Sequence, residues 1–272
     1  MTAIPGLCDD RSMSDTYSHG HHESVLRSHR ARTAENSCGY LLPSLRAGQA
    51  LLDVGCGPGT ITVDLAARVA PGQVVGIDVV DAACQTSTPD NVTFEIGDVY
   101  DLAFGDASFD VVHAHQVLQH LSRPVEALVE MRRVLRPGGL LAVRDSDYGG
   151  FTWAPAVRLL DRWLELYHQL TKRNGAEADA GRHLLGWVQR AGYADITVSS
   201  STWTFADPES RAWWGSMWAD RVLHSGFAEQ GLAYGLTTDD ELEAIAEAWR
   251  TWSKQPDGVF VVPHGEILAT HR

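Results

Sequence analysis

Two groups of residues in this chain have the types and spacing for chemistry. The first is Asp53-Val54-Gly55-Cys56-Gly57-Pro58-Gly59-Thr60, where a glycine recurs at every second position after an acid that closes an apolar run. Glycine permits positive φ and lets backbone approach a ligand closely, and amides opening a helix face that ligand. Such a loop holds a nucleotide. In the dinucleotide pattern GxGxxG the third glycine would fall at position 60, where this chain has Thr60. The second group stands at the ends of later apolar runs: Asp78-Val79, Asp98-Val99, His115-Gln116 and Asp145-Ser146-Asp147-Tyr148. Carboxyl ends of strands are where an open α/β sheet meets its ligand. An acid closing the second strand, Asp78, is placed for ribose hydroxyls; it could instead cap the next helix, but the residues after it read poorly as helix. His115 or Asp147 could take a proton, and Asp145 and Tyr148 could bind an acceptor or assist.

A third cluster is less specific. Tyr17, His19, His21, His22 and His29 lie close together. A metal site of that kind needs ligands on one face, usually with a carboxylate or thiolate, and HxHH lacks both, so no metal is expected. The plain alternative is a polar loop with solvated histidines.

The elements that must position these residues follow from periodicity. From residue 50 the order alternates strand and helix, as a doubly wound sheet requires. The strands are expected at 50–54, 74–79, 92–96, 109–115 and 140–143, and helices at 60–69 and 123–135. Arg136-Pro137-Gly138-Gly139 stops the second of these. His113 lies inside the fourth strand and reads as a satisfied core histidine. Asp81–Asn91 offers only a turn of helix before residues of loop type. Ahead of the sheet, one helix is expected over 24–37 and a second over 35–45.

Beyond residue 150 the composition changes, and all nine tryptophans lie between Trp153 and Trp252. Helices are expected over 155–173 and 183–191, with a sixth strand over 194–205. Asp207-Pro208 opens another helix, and Thr238-x-x-Glu241 is a capping box for one more. Residues 258–262 and 266–270 read as a closing hairpin or a seventh strand with Pro263-His264 between. Three parts follow: an N-terminal tail and helical lid (1–39), a nucleotide-binding core (40–150), and a cap with the closing strands of the same sheet (151–272).

Asp53-x-Gly55-x-Gly57-x-Gly59, the acids at 78 and 98, and Leu135-Arg136-Pro137-Gly138-Gly139 before a strand together resemble the class I S-adenosylmethionine (SAM)-dependent methyltransferases, nearest to the quinone-biosynthesis (UbiE/Coq5-like) type. The resemblance covers about residues 40–145. It implies an α/β Rossmann-like doubly wound sheet of about seven strands, mostly parallel with an antiparallel last strand, a helical lid before it and a helical insertion between strands six and seven. It implies SAM as cofactor and S-adenosylhomocysteine as product. Asp53, Gly55, Gly57, Gly59, Asp78, Val79, Asp98, Val99, His115 and Gln116 would hold SAM, with Asp98 taking the adenine amino group. Tyr17, His19, His21 and His22 would be lid residues touching the acceptor. The tryptophan-rich cap suggests a small acceptor of aromatic or hydrophobic character, methylated at oxygen, nitrogen or carbon. A nicotinamide-dependent oxidoreductase and a non-catalytic SAM-binding module are the competing readings. Thr60 counts against the first, and the polar tips at 115–116 and 145–148 count against the second.

Bulk properties agree with a globular enzyme. A chain of 272 residues with 44% apolar content can bury a full core. Its net charge of −13 argues against a nucleic-acid partner. Four dispersed cysteines without a CxxC pair, no signal-peptide pattern and no membrane-length apolar run suggest a cytoplasmic protein with no membrane partner. Monomer and homodimer are both compatible with these properties.

Overall fold

In the computed structural model of the protein, residues 15–20, 23–81 and 88–272 are described. The N-terminal segment forms two short helices, α1 (Glu23–Arg30) and α2 (Ala34–Cys38). The continuous helix expected over 24–37 is interrupted because Thr33 caps α2. Its hydroxyl accepts from the Asn36 amide, and the Asn36 side chain accepts from the Thr33 amide.

The nucleotide-binding half then follows in alternating order: β1 (Leu51–Val54), α3 (Thr60–Val69), β2 (Val74–Asp78), β3 (Val92–Ile96), β4 (Phe109–His115), α4 (Pro124–Val134) and β5 (Leu135–Ser146). β1 is buried along its whole length, as an inner strand of a parallel sheet covered on both faces must be. The short helical turn expected after Asp81 falls largely on residues 82–87, outside the described residues.

The remainder comprises β6 (Thr152–Ala154), α5 (Arg158–Arg173), α6 (Ala180–Arg190), β7 (Ala194–Phe205), α7 (Pro208–His224), α8 (Gly226–Ala233), α9 (Asp239–Trp252) and β8 (Val259–Thr270). Three helices, not two, therefore separate β7 from β8. The sequence reading missed α8, whose Gly226 and Gly231 weaken helix propensity. The Ser225 hydroxyl caps it by accepting from the Phe227 amide.

Eight strands form one sheet in the order β3-β2-β1-β4-β5-β8-β6, with β7 also paired to β8. Strands β1 to β5 are mutually parallel, and β8 runs antiparallel to β5. Of the two closing arrangements expected, a hairpin or a single strand, the structure has the single strand, continuous through Pro263-His264. β7 pairs along one side of β8, while β5 takes residues 264–270 and β6 takes 259–261 on the other. Pro263 falls in the gap that neither β5 nor β6 reaches, so its missing N–H interrupts no ladder there.

α4 and α6 cover one face of the sheet through Leu128, Met131, Leu184 and Trp187. α2 and α3 cover the other through Cys38, Ile61, Leu65 and Val69. A separate aromatic core knits α5, α7, α8 and α9 onto Phe260 and Val262 of β8. The N-terminal helix α1 and α7 also pack together, and Arg27 pairs with Asp220 between them at 3.0 Å.

Candidate active site

Strand order reverses between β1 and β4, and the crevice at such a point is where α/β folds take ligands. The glycine loop leaves β1 there. Gly55, Gly57 and Gly59 have φ of 67°, 51° and 81°, a region side chains avoid. A Cβ on Gly55 would stand 2.4 Å from Val117 Cγ2, whereas Gly57 faces only His29 Nδ1 at 3.7 Å. The loop therefore presents bare backbone to the crevice. Asp78 helps hold this shape, since its Oδ2 accepts from the Gly57 amide at 2.9 Å.

Asp53 sits behind the loop. Its carboxylate meets His113 Nδ1 at 2.7 Å and accepts from the Thr62 hydroxyl at 2.6 Å. His113 Nε2 lies 3.2 Å from Cys38 Sγ. Burial alone would lower the His113 pKa, but its interactions with the Cys38 sulfur and the Asp53 carboxylate outweigh it and push it up to about 10. This network ties β1, β4, α2 and α3 together under the loop. His113 is thus a partnered core histidine, and Asp53 positions the loop from beneath.

At the ends of β2 and β3, Asp78 and Ile96 are register partners. Val79 and Ile96 are 67% and 70% exposed, apolar surface that the sequence reading noted only at Val79. Asp98 is exposed, its Oδ1 accepting from the Tyr100 amide at 2.9 Å, and Val99 is buried.

A cavity of about 620 Å³ opens between the carboxyl edge, the N-terminal segment and the cap. Tyr17, His19, Gln116 and Tyr148 all line it. His19 Nε2 lies within hydrogen-bond distance of the Tyr148 and Tyr167 hydroxyls, at 3.3 and 3.1 Å. Burial, reinforced by the Arg221 charge, holds His19 well below its usual pKa. Burial likewise lowers His120 to about 3 and raises Tyr17 to about 12. These groups are neutral at pH 7. His21 and His22 lie outside the described residues.

Gln116 is the hinge of the site. It adopts φ 55° directly after β4, a conformation that costs a non-glycine residue about 1 kcal/mol or more. Its side chain accepts from Arg32 Nη2 at 2.6 Å and reaches Ser146 Oγ at 2.7 Å and His264 Nε2 at 2.9 Å. The N-terminal segment, β4, β5 and β8 meet through this one amide.

Three predicted residues lie elsewhere. His115 is buried beside Trp203 and His264, with neither ring nitrogen bonded, and it does not line the cavity. Asp147 is held by the Arg182 guanidinium, which donates through Nε at 2.7 Å and also through Nη2. Asp145 is fully buried and accepts from the Gln119 amide at 3.0 Å. The sequence reading did not single out Arg32, Gln119, Trp203, Trp213 or Arg221, all of which line the cavity. Arg221 had a signal: it continues the face of α7 that carries Trp214 and Trp218, a cation in an apolar stripe. Among the described residues no group of three or more histidines, cysteines or acids is placed to hold a metal ion. No described helix is long and apolar enough to cross a membrane.

The switch point, the bare glycine loop and the acid closing β2 define a nucleotide-binding α/β enzyme whose loop departs from the dinucleotide form. Comparison with known proteins makes the class specific. Residues 52–143 match the family model for a methyltransferase domain. An uncharacterised methyltransferase of Schizosaccharomyces pombe is 35% identical over 268 residues, which is 93% of this chain and 95% of that one. The 27-O-demethylrifamycin SV methyltransferase of Amycolatopsis mediterranei is 35% identical over 147 residues, 50% of this chain and 53% of its own. Phosphoethanolamine N-methyltransferase 2 of Haemonchus contortus, solved with phosphomonomethylethanolamine and S-adenosylhomocysteine, shares the fold. Its TM-score is 0.52 at 17% identity, over 83% of this chain and 49% of that one. The chain belongs to the class I SAM-dependent methyltransferases, and SAM is its cofactor.

Proposed function

We propose that the protein transfers the methyl group of SAM to a small aromatic or hydrophobic organic acceptor bound in the cavity under the cap. The observation that carries this reading is the composition of the cavity wall. Trp203, Trp213, Trp214, Trp218, Phe151 and Phe205 face the same space as Gln116 and Tyr148 at the carboxyl edge. Flat indole and phenyl walls favour a ring system through burial and stacking. A relative similar over half of this chain is likewise named for an organic acceptor, 27-O-demethylrifamycin SV.

The cofactor supplies a methyl group activated by a sulfonium, which an acceptor lone pair displaces in line while the S–C electron pair passes to sulfur. The chain's task is then to hold, align and dry the two partners. Gly55, Gly57 and Gly59 would shape the pocket for the amino-acid part, Asp78 would accept from the ribose hydroxyls, and Asp98 would accept from the adenine amino group. Val79 and Ile96 offer the adenine an apolar seat. Tyr148 and Tyr17, neutral phenols, would orient the acceptor by hydrogen bonds. Tyr148 is the catalytic candidate that faces the cavity, whereas the ring of His115 and the carboxylate of Asp147 stand outside it. The lid closes over both partners through Tyr17, whose ring meets His120 edge-on with centroids 4.6 Å apart.

Calorimetric titration with SAM, S-adenosylhomocysteine and NAD, repeated on Asp78→Ala, tests the cofactor half of this reading. Saturable binding of the two sulfur nucleotides is expected, with at least a tenfold loss in the variant, because Asp78 also supports the Gly57 amide. Binding of NAD alone would overturn the assignment. Screening aromatic acceptors for methyl transfer from labelled SAM tests the other half.

A further inference from the structure

Among the described residues, the cavity contains a cation without a counter-ion. Arg221, on α7, is 5% exposed and lines the cavity. Its Nη2 donates to Ser28 Oγ at 2.7 Å and to the Ser24 carbonyl at 3.4 Å, and Nε has no partner. The guanidinium lies 4.7 Å from the centre of the Trp218 ring. Among the described residues no carboxylate lies within ion-pair distance of it.

Burial is the main influence lowering its pKa; after it come the phenols Tyr148, Tyr17 and Tyr167, which raise it, and the like charge of Arg27, which lowers it. The phenols are neutral at pH 7, as are His19 and His120. Arg27 is already matched to Asp220. The two acids on the cavity's rim, Asp207 and Glu209, stand at the opposite end of α7. At 1.5 Å of rise per residue, Asp207 is about 20 Å from Arg221 along the axis. Its carboxylate also caps the helix through the Glu209 and Ser210 amides. The other cation of the wall, Arg32, is turned to Gln116. A buried guanidinium left unmatched is unfavourable, and here it persists inside a protein of net charge −13. The indole N–H groups of Trp214 and Trp218 are buried without acceptors nearby. Donors accumulate where no acceptor is provided.

We propose that the methyl acceptor is an organic oxyanion, an aromatic or polycyclic carboxylate or ionised hydroxyl, whose charged oxygen pairs with Arg221 while its rings pack on the cavity's indoles. This rests on the methyltransferase reading of the same cavity. Arg221 acts as a specificity residue. It orients the acceptor by its anion and disfavours neutral molecules of the same shape, because these leave the guanidinium unpaired. With the imidazoles around it neutral and weakly basic, the cavity suits an acceptor that arrives already ionised.

The test uses the full-length protein saturated with S-adenosylhomocysteine and the quenching of its cavity tryptophans. The probes are 2-naphthoate and its neutral isostere 2-naphthamide. The wild type should bind the carboxylate at least tenfold more tightly. Arg221→Met should abolish that preference and leave calorimetric S-adenosylhomocysteine affinity within twofold, and Arg221→Lys should keep part of it. A third probe, 2-naphthol titrated below and above its own ionisation, separates hydroxyl from carboxylate recognition. Equal binding of acid and amide by the wild type, no binding of any probe, or a preference that survives in Arg221→Met would each overturn the proposal. So would a tenfold loss of S-adenosylhomocysteine affinity in Arg221→Met, which would assign the guanidinium to the cofactor. If that variant does not fold, the wild-type comparison of acid with amide decides alone. Failure of the wild type to bind S-adenosylhomocysteine is a separate outcome, and it would remove the methyltransferase reading first.

Discussion

Asp145 offers a quantitative test of how the site is held. It closes β5, is fully buried, and accepts from the Gln119 amide through Oδ1, while Oδ2 has no partner. Burial raises its pKa from the ordinary 3.8 to about 7, against the lowering pull of the Gln119 and Leu118 amides, Arg144 and Arg32. The sign follows directly. The unfolded chain loses this proton near pH 4, whereas the folded protein keeps it to about pH 7. Stability therefore falls as pH rises between those values and levels off above them. At 1.36 kcal/mol per pKa unit the full cost is about 4 kcal/mol. Roughly 1.5 kcal/mol of it is already present at pH 5, so about 2.5 kcal/mol develops between pH 5 and 8. Asp145→Asn retains an acceptor for the Gln119 amide and cannot ionise. Any constant cost of its new N–H cancels when one pH is compared with the other. Urea unfolding of both proteins at pH 5 and pH 8, fitted with a common m value, should show the variant gaining about 2.5 kcal/mol on the wild type. A gap that stays the same at both pH values would refute the reasoning and place water or a cation beside Oδ2.

Two further substitutions probe the cofactor loop. Gly55→Ala would force a Cβ against Val117 at φ 67°; about 1–3 kcal/mol of stability and at least tenfold in S-adenosylhomocysteine affinity should be lost. Adding Val117→Ala should relieve the clash and leave the strain; calorimetry showing unchanged affinity in the single variant would contradict the geometry. His113→Gln removes one partner of a buried ion pair, which costs about 3 kcal/mol near pH 6. Because the folded-state pKa is raised to about 10, the wild-type advantage is complete below pH 6.5 and fades as pH climbs through 10. Denaturation midpoints that stay equally far apart at pH 6 and pH 9.5 would show that His113 carries no charge.

Much of the nucleotide half was legible because its signals are local. A glycine at alternate positions after Asp53 needs no tertiary context to mark a loop, and apolar runs in a buried parallel sheet read as strands wherever they pack. β1, α3, β2, β3 and β4 accordingly lie within a residue of expectation. The N-terminal helix was less legible because the Thr33 cap competes with continued helix, and β8 because Pro263 reads as a break until it is known to face the gap between β5 and β6, on the side of β8 away from β7. The site residues divide in the same way. Gln116 and Tyr148 could be placed by their position at strand ends. His115 could not, because one residue of strand turns a side chain to the opposite face. It points into the layer that His113 shares, away from the cavity.

From sequence alone came the fold class and the cofactor, since each follows from short local patterns: the glycine loop after β1, the acids Asp78 and Asp98 after apolar runs, and Leu135-Arg136-Pro137-Gly138-Gly139 before a strand. Tertiary structure decided which polar groups face the cavity. Tyr17 and Tyr148 are 131 residues apart, and Ser28 and Arg221 are 193 apart, yet all four line one cavity. No local pattern carries that meeting, because it comes from folding the N-terminal segment and α7 over the same sheet edge. The missing counter-ion of Arg221 is equally invisible in one dimension. A sequence with 35 acids offers abundant partners for any arginine, and only packing determines that none of the described ones reaches this one.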